Sequence, residues 1–237
     1  MASINTTYLK DKMYAIIVAA GSGQRFASDT PKQFLEIAGK LAIQHSIDAF
    51  DGIDDIEGIV LVMPKNQNLW QNIKLTANKP LMYTTGGVNR AESVLHGLRI
   101  LAPSVQDVCW ILVHDAARVC ISQSDIQKLI QACNNENQGG LLVKAINDTI
   151  KYSEDGSHVE KTINRSNLFA ALTPQMFPYR QLVDVLENAD MTRITDEASA
   201  FEQAGIKPLM VKGRTDNFKL TYADDLLMAA FILGKRP

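Results

Sequence analysis

Short apolar runs alternate with amphipathic segments along most of the chain. Each run is nearly all apolar and too short for a separate helix, which predicts buried strands. The predicted strands are residues 15–20, 56–63, 80–84, 108–113, 141–146 and 206–211. The predicted helices are residues 41–50, 89–101, 124–133, capped by Ser124, and 179–188. Two further helices are predicted, one capped by Thr195 with acids in its first turn, and a final one capped by Thr221 and Asp224 whose core face is Leu226, Leu227, Ala230 and Phe231. A polar strand is predicted in residues 213–220, before the final helix. Alternation of this kind predicts an α/β fold with a doubly wound, mostly parallel sheet covered on both faces.

The pattern changes over residues 147–164, where large apolar residues become few and a Glu-Asp-Gly turn lies in the middle. This predicts a protruding β-hairpin arm with a polar surface. A two-stranded hairpin is only marginally stable alone in water, so we expect it to pack on another surface. The partner subunit of a homodimer is the expected surface.

Length and composition exclude several classes of protein. The 237 residues suit a single domain, residues 1–237. The net charge of −2 gives no overall field that would attract nucleic acid or an anionic membrane. No apolar run approaches the roughly 20 residues of a membrane span. Three cysteines without a paired motif predict a reducing, cytoplasmic location without disulfides.

A glycine loop follows the first predicted strand. Gly21 and Gly23 allow a sharp turn that exposes backbone N–H groups, and two cations, Arg25 and Lys32, follow. Amide donors and positive side chains at the carboxyl end of a strand suit a polyphosphate. A tight turn is the alternative interpretation, because Phe26 and the spacing match neither of the two common phosphate-binding glycine motifs.

Three segments are expected to meet at one edge of the sheet, because ligands bind outside the carboxyl ends of parallel strands. These are residues 21–32, 86–93 and 114–118. Asp115 there either caps a turn or, beside a polyphosphate, holds Mg²⁺. Arg118 is either a surface residue or a bidentate contact for a second anionic substrate. His114 is predicted to be structural, because the histidines lack metal-ligand spacing.

Eight short motifs are distributed along the chain between residues 15 and 222. They are AAGSGQRF, PKQF, GGVNRAESV, VHDAAR, NDT, ALTPQMF, ITDEASAFEQAG and GRTDNFKLT. Together they resemble the 2-C-methyl-D-erythritol 4-phosphate cytidylyltransferase family. The resemblance implies a Rossmann-like nucleotidyltransferase fold, a homodimer, and Mg²⁺-dependent transfer of CMP from CTP to methylerythritol phosphate.

The resemblance also implies roles for individual residues. The expected CTP-binding residues are Ala19, Ala20, Gly21, Gly23, Gly86, Val88, Arg90, Ser93 and Asp115, with Asp115 also contacting the metal. The expected catalytic residues are Arg25, Lys32, Arg165 and Lys219. The expected substrate-binding residues are Arg118, Thr149, Thr173, Thr195 and Asp216. Thr149 and Arg165 are expected to reach the site of the neighbouring subunit.

Two positions depart from the family pattern, and two other functions stay open. Val88 stands where the family usually has an acidic residue, and Val119 where it often has proline. One alternative is a cytidylyltransferase that uses ribitol 5-phosphate as acceptor. The other is a catalytically silent nucleotide-binding protein on the same scaffold, although a silent site should have lost some of the charged residues retained here.

Overall fold

A computed structural model of the chain describes residues 12–21, 26 and 30–235. Its strands are β1 (Met13–Val18), β2 (Glu36–Ile37), β3 (Lys40–Leu41), β4 (Ile56–Met63), β5 (Leu81–Thr85), β6 (Trp110–Asp115), β7 (Gly140–Ala145), β8 (Ile150–Tyr152), β9 (Lys161–Ile163), β10 (Phe169–Pro178) and β11 (Leu209–Lys212). Its helices are α1 (Ala42–Asp51), α2 (Arg90–Leu101), α3 (Gln123–Glu136), α4 (Tyr179–Asn188), α5 (Glu197–Gln203) and α6 (Asp225–Lys235).

Among the described residues, the main sheet has seven strands in the order β11, β7, β10, β6, β1, β4 and β5. Neighbouring strands pair in parallel except at β10, which is antiparallel to both β6 and β7. Because β1 lies between β4 and β6, the connections diverge at its carboxyl end, where α/β folds form ligand crevices. The predicted doubly wound, mostly parallel α/β fold is confirmed.

The apolar runs bury both faces of the sheet because successive strand side chains point to opposite sides. On one face Ile17 and Leu61 belong to a buried cluster that includes residues of α1 and α3. On the other face Ile16 and Val60 pack with residues of α2, α4 and α5. Because both faces of the sheet are buried, the positions of the strand ends that form the site are well defined.

Strand β10 was not predicted. It inserts Phe169–Pro178 between β6 and β7 and supplies the antiparallel member of the sheet. Pro174 and polar residues at 173 and 175 interrupt the apolar pattern, which hides the strand from sequence periodicity. The polar positions are buried because they face the site rather than solvent.

Two predicted helix starts and one predicted strand were wrong. The cap of α3 is Ser122, whose side chain accepts from the Asp125 amide, and not Ser124. The cap of α5 is Asp196, whose side chain accepts from the Ser199 amide, and not Thr195. Residues 213–220 form a loop rather than a strand: their backbone makes single contacts, such as the Arg214 amide with Asp125 Oδ2 and the Leu220 amide with the Ala117 carbonyl, in place of continuous strand pairing.

The apolar face of α6 differs in part from the prediction. Leu227 and Phe231 were expected in the core, yet they are 77% and 65% exposed. Leu226 and Ala230 pack as predicted, and Ala229 and Leu233 join them in place of Leu227 and Phe231. Within the described residues, no helix is long and apolar enough to cross a membrane.

The predicted hairpin is present in residues 147–164. In the part of the chain that the structure describes, strands β8 and β9 pair with each other alone, in antiparallel register. Tyr152 and Val159 leave apolar surface exposed on it. Its predicted role in dimerisation stays a prediction.

Candidate active site

Asp115 is the last residue of β6, and its carboxylate occupies the centre of the site. Arg90 Nε donates to its Oδ1 at 2.9 Å, and Lys219 Nζ donates to its Oδ2 at 2.7 Å. Arg118 Nε lies 4.0 Å from Oδ2. Burial alone would raise the pKa of the Asp115 carboxyl, but the charges of Arg90 and Lys219 outweigh it and hold the pKa well below its usual range. Asp115 is therefore ionised.

Arg90 connects Asp115 to a second buried carboxylate, Glu197. Arg90 Nη1 donates to Glu197 Oε1, and the Glu197 side chain is 1% exposed. Burial raises the pKa of Glu197, against the charge of Arg90. Burial also disfavours charged Arg90, but the two carboxylates outweigh it and raise the pKa of Arg90. The first residues of α2 and α5 are thus joined to the end of β6 by one buried ionic chain.

Two cavities meet at this ionic chain. The first, of about 430 Å³, is lined by Val18, Ala20, Gly21, Gly87, Val88, Asn89, Arg90, Ser93, Asp115 and Lys219. The second, of about 220 Å³, is lined by Arg90, Asp115, Arg118, Ala171, Leu172, Thr173, Gln175, Thr195, Asp196 and Lys219. The residues common to both are Arg90, Asp115 and Lys219. Ligands in the two cavities would therefore meet at Asp115.

Residues 87–93, which form one wall of the first cavity at the start of α2, are held in place by hydrogen bonds among themselves. Ser93 Oγ accepts from the Gly87 amide at 3.0 Å and donates to the Asn89 carbonyl at 2.8 Å. The Val88 amide donates to Glu92 Oε2, so that amide is already occupied. The Val88 side chain is 88% exposed and makes no part of the packed core.

Gly86 lies behind this wall rather than on it, and Gly87 lines the cavity instead. A Cβ at Gly86 would lie 2.2 Å from the Cβ of Ala20. The loops after β1 and β5 therefore approach this closely only because residue 86 is glycine.

The loop after β1 is tied to the following segment. Gln33 Nε2 donates to the Ala19 carbonyl at 2.5 Å and the Gly21 carbonyl at 3.1 Å. Lys32 Nζ donates to the Leu220 carbonyl, just before α6. Gly23 and Arg25 lie outside the described residues.

The second cavity is bounded by Arg118 and Thr173. Arg118 Nη1 donates to the Asn217 carbonyl at 3.0 Å, and Nη2 donates to the Ala171 carbonyl at 3.2 Å. Asn217 Nδ2 in turn donates to the Thr173 carbonyl at 2.9 Å. Burial lowers the pKa of Arg118, against the charge of Asp115. Backbone carbonyls thus orient the guanidinium at the cavity wall.

Other predicted site residues do not line either cavity. Asp216 accepts two hydrogen bonds from Arg214, at 2.9 and 2.6 Å. Thr149 and Arg165 are exposed at the base of the hairpin. Ala19 is buried behind the first cavity. The contacts expected of these residues with substrates stay predictions.

Comparison with known proteins decides the family. The family model of 2-C-methyl-D-erythritol 4-phosphate cytidylyltransferase (IspD) matches residues 13–235. The chain belongs to this family. The family predicted from the sequence motifs is confirmed.

Individual relatives of the cytidylyltransferase family cover nearly the whole chain. The 2-C-methyl-D-erythritol 4-phosphate cytidylyltransferase of Tolumonas auensis is 42% identical over 225 residues, which are 94% of this chain and 96% of that protein. The Chromobacterium violaceum protein of the same name is 40% identical and covers 94% of this chain and 99% of its own. The crystal structure of the Francisella tularensis enzyme has a TM-score of 0.81 and 30% identity, covering 93% of this chain and 99% of that chain.

The residues of this cytidylyltransferase site fit one divalent cation that is bound jointly by a protein carboxylate and the phosphate oxygens of a ligand. Among the described residues, no group of three or more metal-ligating His, Cys, Asp or Glu side chains is found. Mg²⁺ commonly takes one or two carboxylates and completes its coordination with phosphate oxygens and water. Asp115 suits that arrangement once Lys219 leaves Oδ2, and the Lys219 side chain is 40% exposed, which leaves it room to move.

Sequence reasoning missed Glu197 and Gln33 as residues that organise the site. Glu197 lies in the quoted ITDEASAFEQAG motif but was interpreted only as an acid in the first turn of a helix. Its burial against Arg90, 107 positions away, could not be inferred from local pattern. Gln33 lies in the quoted PKQF motif, which was the only available signal for it.

Proposed function

We propose that this protein transfers the cytidylyl group of CTP to 2-C-methyl-D-erythritol 4-phosphate and releases pyrophosphate. The observation that carries the proposal is the pair of cavities sharing Asp115, Arg90 and Lys219, in a member of this family. CTP occupies the first, larger cavity between the loops after β1 and β5. The methylerythritol phosphate occupies the second cavity, so that its phosphate faces the α-phosphorus at the junction.

The reaction is a single in-line displacement. A phosphate oxygen of the acceptor forms a bond to the α-phosphorus of CTP as the bond to the β-phosphate oxygen breaks, and pyrophosphate leaves. No general base is required, because a phosphate monoester is already ionised near neutral pH. Arg25, Lys32 and Lys219 stabilise the charge that develops, so catalysis consists of positioning and charge neutralisation.

Asp115 would hold Mg²⁺ together with phosphate oxygens of CTP, and the cation would add to the neutralisation of the triphosphate. Asp115 in turn keeps Arg90 oriented toward the junction, and Lys219, which leaves Oδ2 when the cation is held, contacts the substrate phosphates there. Because Arg90 is also paired with Glu197, its guanidinium stays in place when Asp115 contacts the metal.

Acceptor recognition uses the charges and hydroxyls of the second cavity. Arg118 and Lys219 contact the phosphate, and Thr173 and Thr195 supply hydroxyl groups at the wall. Asp216 does not line this cavity as the structure stands, so it could accept from substrate hydroxyls only if the loop of residues 213–220 moves toward the acceptor; its pairing with Arg214 leaves lone pairs for that, since a carboxylate has about four.

The hairpin completes the unit as a homodimer. Residues 147–164 extend from the sheet with exposed apolar side chains, and such a hairpin needs another surface to be stable. Thr149 and Arg165 at its base then serve the partner's site. The three cysteines are buried free thiols, which supports a reducing cytoplasmic location.

The test is pyrophosphate release by the purified protein with Mg²⁺ and CTP. Turnover is expected with methylerythritol 4-phosphate and not with ribitol 5-phosphate, and UTP or ATP should not replace CTP. Asp115→Asn should abolish turnover, whereas Asp107→Asn, in the loop before the opposite end of β6, should leave it unchanged. Turnover with ribitol phosphate would reassign the acceptor. CTP binding without turnover would favour a silent nucleotide-binding protein.

A further inference from the structure

Gln33 is buried behind the loop that follows β1, and no step of the proposed reaction uses it. It lies in a short 3₁₀ turn, Lys32–Phe34, and its side chain is only 2% exposed. Phe34 belongs to the buried cluster that includes residues of α1, and the Phe34 amide donates to the Pro31 carbonyl at 2.8 Å. The turn therefore anchors Gln33 to the core on the α1 side of the sheet.

The side-chain amide of Gln33 holds two backbone carbonyls where the chain leaves the sheet. The Ala19 amide is still paired with β4, because it donates to the Val62 carbonyl at 2.8 Å. The Ala19 and Gly21 carbonyls instead accept from Gln33 Nε2, at 2.5 and 3.1 Å. A carbonyl oxygen can only accept, so the atom that faces both of them must be the side-chain nitrogen. One buried donor thus sets the direction of both carbonyls.

The direction of the Ala19 carbonyl also sets the direction of the next N–H group. The peptide bond between Ala19 and Ala20 is trans, and across a trans peptide the carbonyl and the following N–H point in opposite directions. The Ala20 N–H therefore points away from Gln33. Ala20 lines the first cavity, and Gln33 does not. Among the described residues the Ala20 N–H has no hydrogen-bond partner, so it is available to a ligand.

We infer that Gln33 is a positioning residue that keeps the Ala19 and Gly21 carbonyls turned away from the triphosphate of CTP. Carbonyl oxygens repel phosphate oxygens, whereas backbone N–H groups bind them. With both carbonyls held by one donor, the Ala20 N–H is left for the ligand. Gln33 acts through the loop and does not touch the nucleotide. The inference rests on the proposed function, in that the anion of the first cavity is the triphosphate of CTP.

Loss of the donor at position 33 should act on phosphate binding in particular. Buried carbonyls without a partner are costly, so the two carbonyls would turn toward water. Water reaches this loop through the first cavity, because Ala20 and Gly21 both line it. The cavity would then present carbonyl oxygens to the triphosphate. A residue that only fills space behind the loop would not have this selective effect.

The first test compares two ligands that differ only in their phosphates. Gln33→Met keeps the length of the side chain but removes its N–H donors. Calorimetry with Mg²⁺ should show the Kd of CTP raised at least about tenfold, the loss expected for one hydrogen bond to a charged group. NMR titration should show the Kd of cytidine, which has no phosphate, within about twofold of the wild-type value. Unchanged CTP binding, or equal losses for CTP and cytidine, would overturn the inference.

Gln138→Met is the matched control for that comparison. Gln138 Nε2 also donates to a backbone carbonyl, that of Lys207. Gln138 lies just before β7 begins, at the end of the sheet opposite the site. This variant should leave the Kd of CTP unchanged. A rise equal to that of Gln33→Met would show that the loss does not come from the glycine loop and would overturn the inference.

The second test uses the wild-type protein, so it does not depend on the folding of a variant. Inorganic triphosphate added to nitrogen-labelled protein should shift the Ala20 amide proton downfield, as expected for an N–H that donates to an anionic oxygen, and cytidine should not. An Ala20 resonance that does not respond to triphosphate would overturn the inference. If methylerythritol phosphate is not a substrate, the proposed function fails, whereas the response to triphosphate still tests how Gln33 orients the loop.

Discussion

Replacing Glu197 with glutamine tests the buried ionic chain most sharply. The substitution keeps the shape of the side chain and an oxygen that can accept from Arg90, but it removes the negative charge. Arg90 is then left with Asp115 as its only carboxylate partner in the described structure. Removing one partner of a buried ion pair commonly costs about 3–5 kcal/mol, because the other charge stays buried.

The structure favours the lower end of that range. Burial raises the pKa of Glu197, so the ionised side chain itself carries a desolvation cost that glutamine avoids. We therefore expect Glu197→Gln to lower the free energy of unfolding by about 3 kcal/mol. Because Arg90 lines both cavities, kcat/KM for both substrates should fall as well.

Urea unfolding followed by circular dichroism measures this cost. The matched control is Glu187→Gln, because Glu187 is half exposed and lies 4.0 Å from Arg99. An exposed pair of that kind should contribute less than about 1 kcal/mol. If the two variants unfold with equal free energies, the claim that Glu197 stabilises the buried charge of Arg90 is wrong.

Three further predictions concern a cation, a glycine and a histidine. Lys32→Ala should lower kcat/KM about a hundredfold, through loss of a preorganised charge, while Lys40→Ala, at an exposed ion pair, should not change it. Gly86→Ala should raise KM for CTP in steady-state assays, because its methyl group would displace the loop after β1, whereas Gly234→Ala, in open space, should have no effect. The pKa of His114 is about 3 in the folded protein, below the usual 6.5, so the unfolded chain binds the proton at a higher pH than the folded protein does. The free energy of unfolding should therefore fall as the pH is lowered from about 6.5 to about 3. His114→Asn should flatten this pH dependence of the urea midpoint; an unchanged slope would contradict it.

The elements that could be predicted are those whose local sequence pattern alone specifies them, whatever they pack against in the fold. Strand β4 and helix α4 occupy the predicted residues, because an all-apolar run and a regular amphipathic segment identify themselves. Strand β10 is stabilised by pairing with β6 and β7, which no local pattern records. On α6 the prediction was wrong for Leu227 and Phe231, because apolar residues surround most of that helix and its packing partner decides which of them are buried.

The site, like the fold, has features that the sequence predicts and features that only the folded chain defines. Asp115, Arg118 and Lys219 could be predicted to converge, because strand ends and family motifs place them at one edge of the sheet. The pairing of Glu197 with Arg90 and of Asp216 with Arg214 depends on side-chain geometry that only the folded chain defines. The sequence motifs identified the site residues, and the structure shows which of them form ion pairs with each other.

The central claim is that two substrates occupy two cavities joined at Asp115, and a split in KM tests it most directly. Ser93→Ala loosens only the wall of the first cavity, and Thr195→Val removes a hydroxyl only from the second. In steady-state assays of pyrophosphate release, Ser93→Ala should raise KM for CTP about fivefold, the value of one hydrogen bond, and leave KM for methylerythritol phosphate unchanged. Thr195→Val should do the reverse. If either variant raises both KM values equally, or raises the opposite one, the assignment of the two cavities is wrong.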